Sequence, residues 1–220
     1  MKKFIVAAVT LFATVAVASA QMRPTIKVEA AANFSNATTK VGDTSKTGKA
    51  VVGYRVGVGA EFNLGNDGFY ANPGLFFLSR GSKAETIIGE GTLSAGASST
   101  TMLHAVEIPV HFGYRAAFAP NLAVSVQAGP YFAYGFSGKT KSKVMAAGKW
   151  SSEIEADPYK KVNDKSALKP FDFGLGGQVA LEYSRYYFAV GTEYGLLNTS
   201  GVDKTSVNNI NFYTGIGVRF

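Results

Sequence analysis

The stretch that decides the fold is the C-terminal segment 210–220, which reads Ile-Asn-Phe-Tyr-Thr-Gly-Ile-Gly-Val-Arg-Phe. Starting from Ile210, every second residue is apolar or threonine, and the residues between them are asparagine, tyrosine, glycine and arginine. Successive side chains of a β-strand point to opposite faces. The period of two therefore predicts a strand with one apolar face and one polar face.

The same alternation recurs in seven further segments. In chain order these are 26–34, 52–64, 69–78, 106–116, 122–136, 171–183 and 186–196. The run 69–78 is the least regular, because Phe76 and Leu78 fall on its polar face. Three connections carry tight-turn chemistry (65–68, 119–121 and 184–185), and four are long and polar (35–50, 79–101, 138–169 and 198–208). Because long and short connections alternate, we expect an all-β, eight-stranded antiparallel up-and-down barrel with every long loop at one end.

The two faces of the strands indicate which solvent each one meets. The polar faces mix glycines with isolated charges of both signs, which suits a crowded interior. The apolar faces are tipped by aromatic residues, as in the interfacial girdles of membrane barrels. We therefore expect a transmembrane β-barrel in the outer membrane, with the termini in the periplasm and the long loops outside the cell. A soluble barrel that holds a ligand against its apolar face is the alternative.

The polar faces supply a candidate network inside the barrel. An eight-stranded barrel is just wide enough for its side chains, and buried charges need partners. We expect a structural network of ion pairs and hydrogen bonds, with a narrow channel or a small-molecule carrier as the alternative use. Its predicted members are Lys27, Glu29, Arg55, Glu61, Glu107, His111, Arg115, Asp172, Gln178, Glu182, Glu193 and Arg219.

The first twenty residues have the pattern of a secretory signal peptide. Lys2 and Lys3 precede an apolar run, 4–17, which ends in a small-residue cleavage motif at Ala18 and Ala20. We expect cleavage before Gln21 and a single barrel domain over residues 21–220. The chain has no cysteine, which excludes a disulfide scaffold and a lipoprotein. The formal net charge is +7 with scattered lysines, which predicts no nucleic-acid partner.

The longest predicted loop carries a candidate binding patch for lipopolysaccharide, polysaccharide or another surface partner. A mobile solvated loop is the alternative interpretation. The patch comprises Lys139, Lys141, Lys143, Lys149, Trp150, Tyr159, Lys160 and Lys161.

Catalytic and cofactor sites are not expected. Histidine is scarce and no ligand cluster with zinc spacing exists, so the sequence predicts no metal or other cofactor. A lipid-modifying enzyme would need a serine, a base and an acid together. His104 has Ser98 and Ser99 shortly before it and Glu107 shortly after it, but on strand parity His104 faces outward and Glu107 inward. We therefore predict that the protein is not an enzyme.

Several short motifs carry a family resemblance. They are Val-Glu-Ile-Pro-Val at 106–110, Ala-Gly-Pro-Tyr-Phe at 128–132, Phe-Asp-Phe-Gly-Leu-Gly-Gly at 171–177, Gly-Leu-Leu-Asn at 195–198 and the final Arg219-Phe220. In order and spacing they resemble the PorT-like outer-membrane β-barrel proteins of Bacteroidetes. The resemblance implies fold and location and does not imply an activity.

The terminal Phe220 resembles the signal that the barrel-assembly machinery reads, which implies a partner in biogenesis. We expect a monomer that contacts the lipid bilayer and lipopolysaccharide. Its expected role is structural or surface-interacting, through extracellular loops on a closed, salt-bridged barrel.

Overall fold

A computed structural model describes residues 24–65, 67–89, 94–160 and 166–220. The predicted signal peptide, its cleavage residues Ala18 and Ala20, and Lys161 of the predicted patch lie outside these ranges. Among the described residues, no helix is long and apolar enough to cross a membrane.

The regular secondary structure of these residues consists of β-strands. Eight of the strands are long, and their ranges are β1 Thr25–Val41, β3 Val51–Asn63, β4 Phe69–Ile88, β5 Ala95–Ala119, β6 Leu122–Ala146, β9 Phe171–Tyr183, β10 Tyr186–Gly195 and β11 Thr205–Arg219. Three short strands, β2 Thr44–Thr47, β7 Lys149–Trp150 and β8 Ile154–Ala156, add to the long ones at the long-loop end.

The long strands form one closed antiparallel sheet. Their order around the barrel is β1-β3-β4-β5-β6-β9-β10-β11, and β11 pairs with β1 from Lys27↔Arg219 to Val41↔Thr205. Backbone hydrogen bonds between Ile26 and Phe220 continue this seam to the end of the chain. In the part of the chain that the structure describes, each long strand pairs with its neighbours in sequence. The prediction of an eight-stranded up-and-down barrel is therefore confirmed.

The two faces of the strands differ as the alternation predicts, with apolar side chains pointing outward and charged side chains pointing into the barrel. Outward-facing side chains such as Val56, Leu175 and Ile216 are exposed, although they are apolar. Inward-facing charged residues such as Glu107 and Glu61 are almost fully buried. Aromatic residues are exposed near both ends of this apolar band. At one end these include Phe34, Tyr134 and Phe136, and at the other end Tyr183, Tyr186 and Phe220.

Five strands extend further toward the long-loop end than the sequence predicts: β4, β5 and β6 by ten residues or more, β1 by seven and β11 by five. β4 and β5 remain paired out to Ile88↔Ala95, and β5 and β6 to Gly96↔Met145. The predicted loops 79–101 and 138–169 are therefore wrong over much of their length. Beyond the apolar band both faces of a strand meet water or polar groups, so the hydropathy alternation disappears while the backbone pairing continues.

The long strands continue the sheet beyond the apolar band at the long-loop end of the barrel. β6 pairs with β7 through Met145↔Trp150 and with β8 through Lys141↔Glu155. On the other side, β2 pairs with β1, and an isolated bridge joins Lys49 to Lys83 of β4. Strand edges that would otherwise be bare are thus covered close to the barrel mouth.

Candidate functional site

The structure places all twelve predicted interior side chains inside the barrel. Ten are buried, and Arg115 and Arg219 at the tight-turn end are partly exposed, with 17% and 19% of their side-chain surface accessible. Two clusters lie inside the barrel, one near each end, and each contains charges of both signs.

The cluster at the tight-turn end holds two carboxylates between two guanidinium groups. Arg115 contacts Glu61 at 2.6 Å and Glu182 at 2.8 Å. Arg219 contacts the same two carboxylates at 3.1 and 2.8 Å, and Ser125 donates a 2.6 Å hydrogen bond to Glu182. These are charge-assisted bonds with several donors on each carboxylate, the arrangement in which buried charges are tolerated. The cluster ties together strands on opposite sides of the barrel, since Glu61 lies on β3 and Glu182 on β9.

The cluster at the long-loop end is built around Arg55 and Arg80. Arg55 Nη1 lies 2.5 Å from Glu107 Oε1 and 2.9 Å from Glu193 Oε1. Arg80 Nη2 lies 3.2 Å from Glu107 Oε2, and Arg80 Nη1 lies 2.8 Å from Asp172 Oδ2. Glu107 therefore joins two arginines, and the chain of contacts runs from β3 and β10 to β4 and β9.

Arg80 is the main interior residue that the sequence reasoning missed. It was assigned to the predicted loop 79–101, although it is 3% exposed and lies deep in the network. Strand parity could have found it, because Phe76, Leu78 and Arg80 share one face. Phe76 and Leu78, which disturb the predicted polar face, are also buried inside, and the Arg55 guanidinium lies 4.0 Å from the Phe76 ring centroid. A cation over an aromatic face is a favourable contact, which explains an apolar ring in a charged interior.

Amide side chains lie at the middle of the barrel, between the two clusters. Gln127 donates to Gln178 at 2.6 Å, and Gln178 donates to Glu29 at 2.8 Å. The hydroxyl of Tyr187 donates to the same carboxylate at 3.1 Å. Beside them lies a void with about 10 Å³ of room for the centre of a water molecule. That volume suits roughly one water.

Several polar atoms that line this void lack a hydrogen-bond partner within the described residues. They are Lys27 Nζ, Glu29 Oε1, Arg55 Nε, Asn72 Oδ1 and His111 Nε2. Lys27 keeps an ion pair with Glu61 at 3.9 Å, and its Nζ lies 4.6 Å from the centroid of the Tyr187 ring.

Inward-facing tyrosines fill the space that glycines leave on neighbouring strands. Tyr70, Tyr131, Tyr187 and Tyr213 are all buried. In register they face Gly113, Gly174, Gly217 and Gly191 respectively. A Cβ atom on any of these glycines would overlap the ring of the paired tyrosine. Glycine is required here for close approach, and the rings occupy the barrel cross-section that a pore would need.

Tyr159 and residues 168–170, which precede β9, lie at the mouth of the barrel at the long-loop end. Tyr159 places its hydroxyl against Gly135. Leu168 forms a bridge with Ser200, and the backbone N–H of Lys169 donates to Thr199 at 2.8 Å. Two connections are therefore fastened to each other above Asp172 and Arg80.

The predicted lysine patch is not one surface. Lys139, Lys141 and Lys143 lie on β6 rather than in a loop, and they point outward from the barrel. Lys141 pairs with Glu153 at 2.6 Å and with Glu155 at 3.2 Å. Tyr159 is turned into the barrel mouth. Trp150 on β7 pairs with Met145 and so shares the outward face of β6, whereas Lys149 pairs with Ala146 on the other face and Lys160 lies beyond β8. The prediction of a single loop patch is wrong, because strand pairing separates side chains that are close in sequence.

The outward lysines alter the acid–base behaviour of their partners. Hydrogen bonds from Lys141 and Lys143 lower the pKa of Glu153. A hydrogen bond from Lys141 and the charge of Lys139 lower the pKa of Glu155. The same carboxylates raise the pKa of Lys141. These groups are fully solvated, so the contacts order the surface more than they stabilise the fold.

The residues considered for acyl transfer do not converge. His104 stacks on Tyr54, whose hydroxyl lies 3.2 Å from His104 Nδ1 on the outer face. Glu107 is buried inside against Arg55. Over residues 24–65, 67–89, 94–160 and 166–220, no group of three or more His, Cys, Asp or Glu side chains could hold a metal ion.

Comparison with known proteins gives a family and several similar barrels. Residues 19–201 match the family described as outer membrane protein beta-barrel domain. Curated proteins give no match. Among solved structures, Neisserial surface protein A is similar at 13% identity over 89% of this chain and 97% of that one, with a TM-score of 0.40. Ail of Yersinia pestis is 14% identical over 88% and 98%, with a TM-score of 0.38. OprG from Pseudomonas aeruginosa is 11% identical over 90% and 95%, with a TM-score of 0.47.

Proposed function

The chain belongs to the outer membrane protein beta-barrel domain family, and on that premise we propose that it is a closed outer-membrane scaffold with a structural or surface-interaction role. The long strands β4, β5 and β6 carry that role above the membrane. The protein is neither an enzyme nor an open pore. Family membership implies the outer-membrane location and leaves the specific role open.

The observation that carries this proposal is the interlocked interior. The pairs Arg55–Glu193 and Arg80–Asp172 join strands that are not neighbours in the sheet, so they cross the barrel instead of lining its wall. Buried tyrosine rings fill much of the remaining cross-section. A barrel of eight strands closed in this way is rigid and has little room for a solute.

The proposal includes a topology. Residues 1–20 act as a signal peptide that is cut after Ala20, and residues 21–220 form one barrel domain. The termini and tight turns face the periplasm, and the extended strands face the outside. The barrel is a monomer in a bilayer whose outer leaflet is lipopolysaccharide, and the assembly machinery reads Phe220 during insertion. The motifs at 106–110, 128–132 and 171–177 favour the PorT-like group of Bacteroidetes.

One specific observation favours a narrow channel or carrier as the second candidate. The void at the middle of the barrel is lined by polar atoms that lack partners among the described residues, among them His111 Nε2 and Lys27 Nζ. Water held by such groups would provide part of a hydrated path for a small polar solute. The charged clusters on both sides of the void make this the weaker candidate.

The cysteine-free sequence allows a direct test of the surface role. Single cysteines are introduced as Ile88→Cys in the β4–β5 extension and as Asn121→Cys in the β5–β6 tight turn. Cells that produce each variant are treated with a membrane-impermeant maleimide. The proposal predicts labelling of I88C in intact cells and labelling of N121C only after permeabilisation. The opposite pattern would rule out a surface role for the extended strands.

A further inference from the structure

The charged groups inside the barrel do not balance. Among the described residues, the bases that face the interior are Lys27, Arg55, Arg80, Arg115 and Arg219. The carboxyl groups that face it are Glu29, Glu61, Glu107, Asp172, Glu182 and Glu193. Five bases meet six carboxyl groups, so full ionisation would leave one uncompensated negative charge. An uncompensated buried charge is costly, and a buried carboxyl group takes up a proton more readily than it stays ionised without a partner.

The cluster at the long-loop end contains two carboxyl groups that crowd a single guanidinium nitrogen. Oε1 of Glu107 lies 2.5 Å from Arg55 Nη1, and Oε1 of Glu193 lies 2.9 Å from the same atom. The two carboxyl groups also lie within hydrogen-bonding reach of each other. Two ionised carboxylates cannot form a hydrogen bond, because each of them offers only acceptors. A hydrogen bond between Glu107 and Glu193 therefore requires a proton on one of the two.

Glu193 has an oxygen atom that is free to accept this hydrogen bond. Its Oε2 accepts a hydrogen bond from Asn211 at 3.0 Å, but its buried Oε1 accepts none from a described residue. Both oxygens of Glu107 accept from arginines, and the one bonded to Arg55 is also the one closest to Glu193 Oε1 through their shared nitrogen. His111 is the other group that could take the proton, but its Nε2 has no hydrogen-bond partner among the described residues. The geometry therefore favours the two carboxyl groups.

We propose that Glu107 and Glu193 share one proton, so that they form a buried proton-binding site which makes the charged interior neutral. The proton is taken up from water when the barrel folds and is released to water when it unfolds. Other strands also place titratable or charged groups around the pair. Besides Arg55, these are Glu29, Arg80, His111, Tyr131, Asp172 and Tyr213. The inference goes beyond the proposed surface role, because it concerns the interior alone and does not depend on which end of the barrel faces outward.

Infrared spectroscopy of the folded full-length protein detects the protonated carboxyl group directly. The protein is measured in a detergent without ester groups at about pH 6, where an ordinary glutamate is ionised. The wild-type spectrum should contain a C=O band of a carboxylic acid that shifts in heavy water. Glu107→Gln and Glu193→Gln should each remove this band. Glu85→Gln is the control, because it changes an exposed glutamate that contacts Lys49, and it should leave the band in place.

The pH dependence of unfolding gives a second readout, which counts the proton. Both glutamates of the unfolded chain are ionised at about pH 6, whereas the folded pair holds one proton. Because the folded state then binds more protons than the unfolded state, the stability should fall as the pH rises. Around pH 6 the unfolding equilibrium constant of wild type should rise up to about tenfold more per pH unit than that of Glu107→Gln or Glu193→Gln. Both variants retain His111, so its titration cancels in the comparison.

Two results would overturn the proposal. One is a wild-type spectrum without a carboxylic acid band, which is also the result expected if His111 holds the proton. The other is a band, or a pH dependence of wild-type size, that persists in both Glu107→Gln and Glu193→Gln. If one of the two variants does not fold, the wild-type spectrum and the other variant still decide the question.

Discussion

The guanidinium of Arg80 lies 2.8 Å from the carboxylate of Asp172, and this ion pair joins β4 to β9 across the mouth of the barrel. Two strands, β5 and β6, separate β4 from β9 in the sheet, so the contact crosses the interior. Asp172 also accepts hydrogen bonds from Asn209 at 2.9 Å and from Tyr131 at 3.3 Å. Arg80 is thereby the residue on which the closure of this end depends.

Replacing Arg80 by methionine should destabilise the barrel strongly. The substitution leaves the carboxylates of Asp172 and Glu107 buried without one of their partners, and breaking one side of a buried pair costs about 3–5 kcal/mol. Unfolding by urea in lipid vesicles, followed by the heat-dependent shift in gel mobility, measures the loss. Arg185→Met, at an exposed tight-turn position, is the control and should change stability by less than about 0.5 kcal/mol. Equal stabilities for the two variants would show that the Arg80 contacts are incidental.

Replacing Gly191 by alanine should also destabilise the barrel, for a steric reason. Gly191 faces Tyr213 in register, and a Cβ atom there would overlap the tyrosine ring. Overpacking of this kind costs about 1–3 kcal/mol. Gly177→Ala is the milder comparison and should cost less, since its added Cβ would meet no tyrosine ring and only the backbone oxygen of Gln127, in a tight contact at 3.3 Å. Combining Gly191→Ala with Tyr213→Ala should recover part of the loss, and additive effects would argue against the ring–glycine contact.

Acid should loosen the β6–β8 surface while the barrel stays folded. The folded pKa values of Glu153 and Glu155 are lowered by the neighbouring lysines. A lowered carboxyl pKa gives stabilisation that is complete above the unfolded value, about 4.3 for Glu, and that is lost as the pH falls through the folded value. Trp150, the only tryptophan in the chain, lies on β7 beside these residues and reports the change by fluorescence. The E153Q/E155Q variant should show no such transition below pH 5, and a transition of wild-type size in that variant would exclude these carboxylates as its cause.

The sequence predicts the barrel well wherever the two faces of a strand meet different solvents. The predicted limits of the strands around Val179 and Val190 are nearly correct for that reason. The prediction stops at the edge of the apolar band, where Lys139 and Thr140 are both polar although they point to opposite sides. Hydropathy cannot distinguish a loop from a strand there, and the extensions of β4, β5 and β6 were lost.

The candidate site residues can be predicted from the sequence only within the apolar band. Inward charges within the band, such as Glu107 and Asp172, could be assigned from parity alone. Arg80 shares the parity of Phe76 and Leu78, but the predicted strand ends at residue 78, so the prediction omits it. The partners of each charge depend on which strands face each other across the barrel, and local periodicity does not contain that information. The separation of Tyr159 from Lys141 has the same origin, since it arises from the way the segment before β9 folds over the mouth.

We propose that this outer-membrane barrel is closed by its own charges and acts at its outer surface. The current through planar lipid bilayers that contain the purified protein distinguishes a closed barrel from an open one. A general porin added at the end of each record verifies that the bilayer reports open channels. We expect no stepwise increase in conductance from the wild-type protein, because Arg55, Arg80 and their carboxylate partners cross the lumen. Reproducible ohmic steps from the folded wild-type protein would contradict the account and would make the polar lumen the site of function.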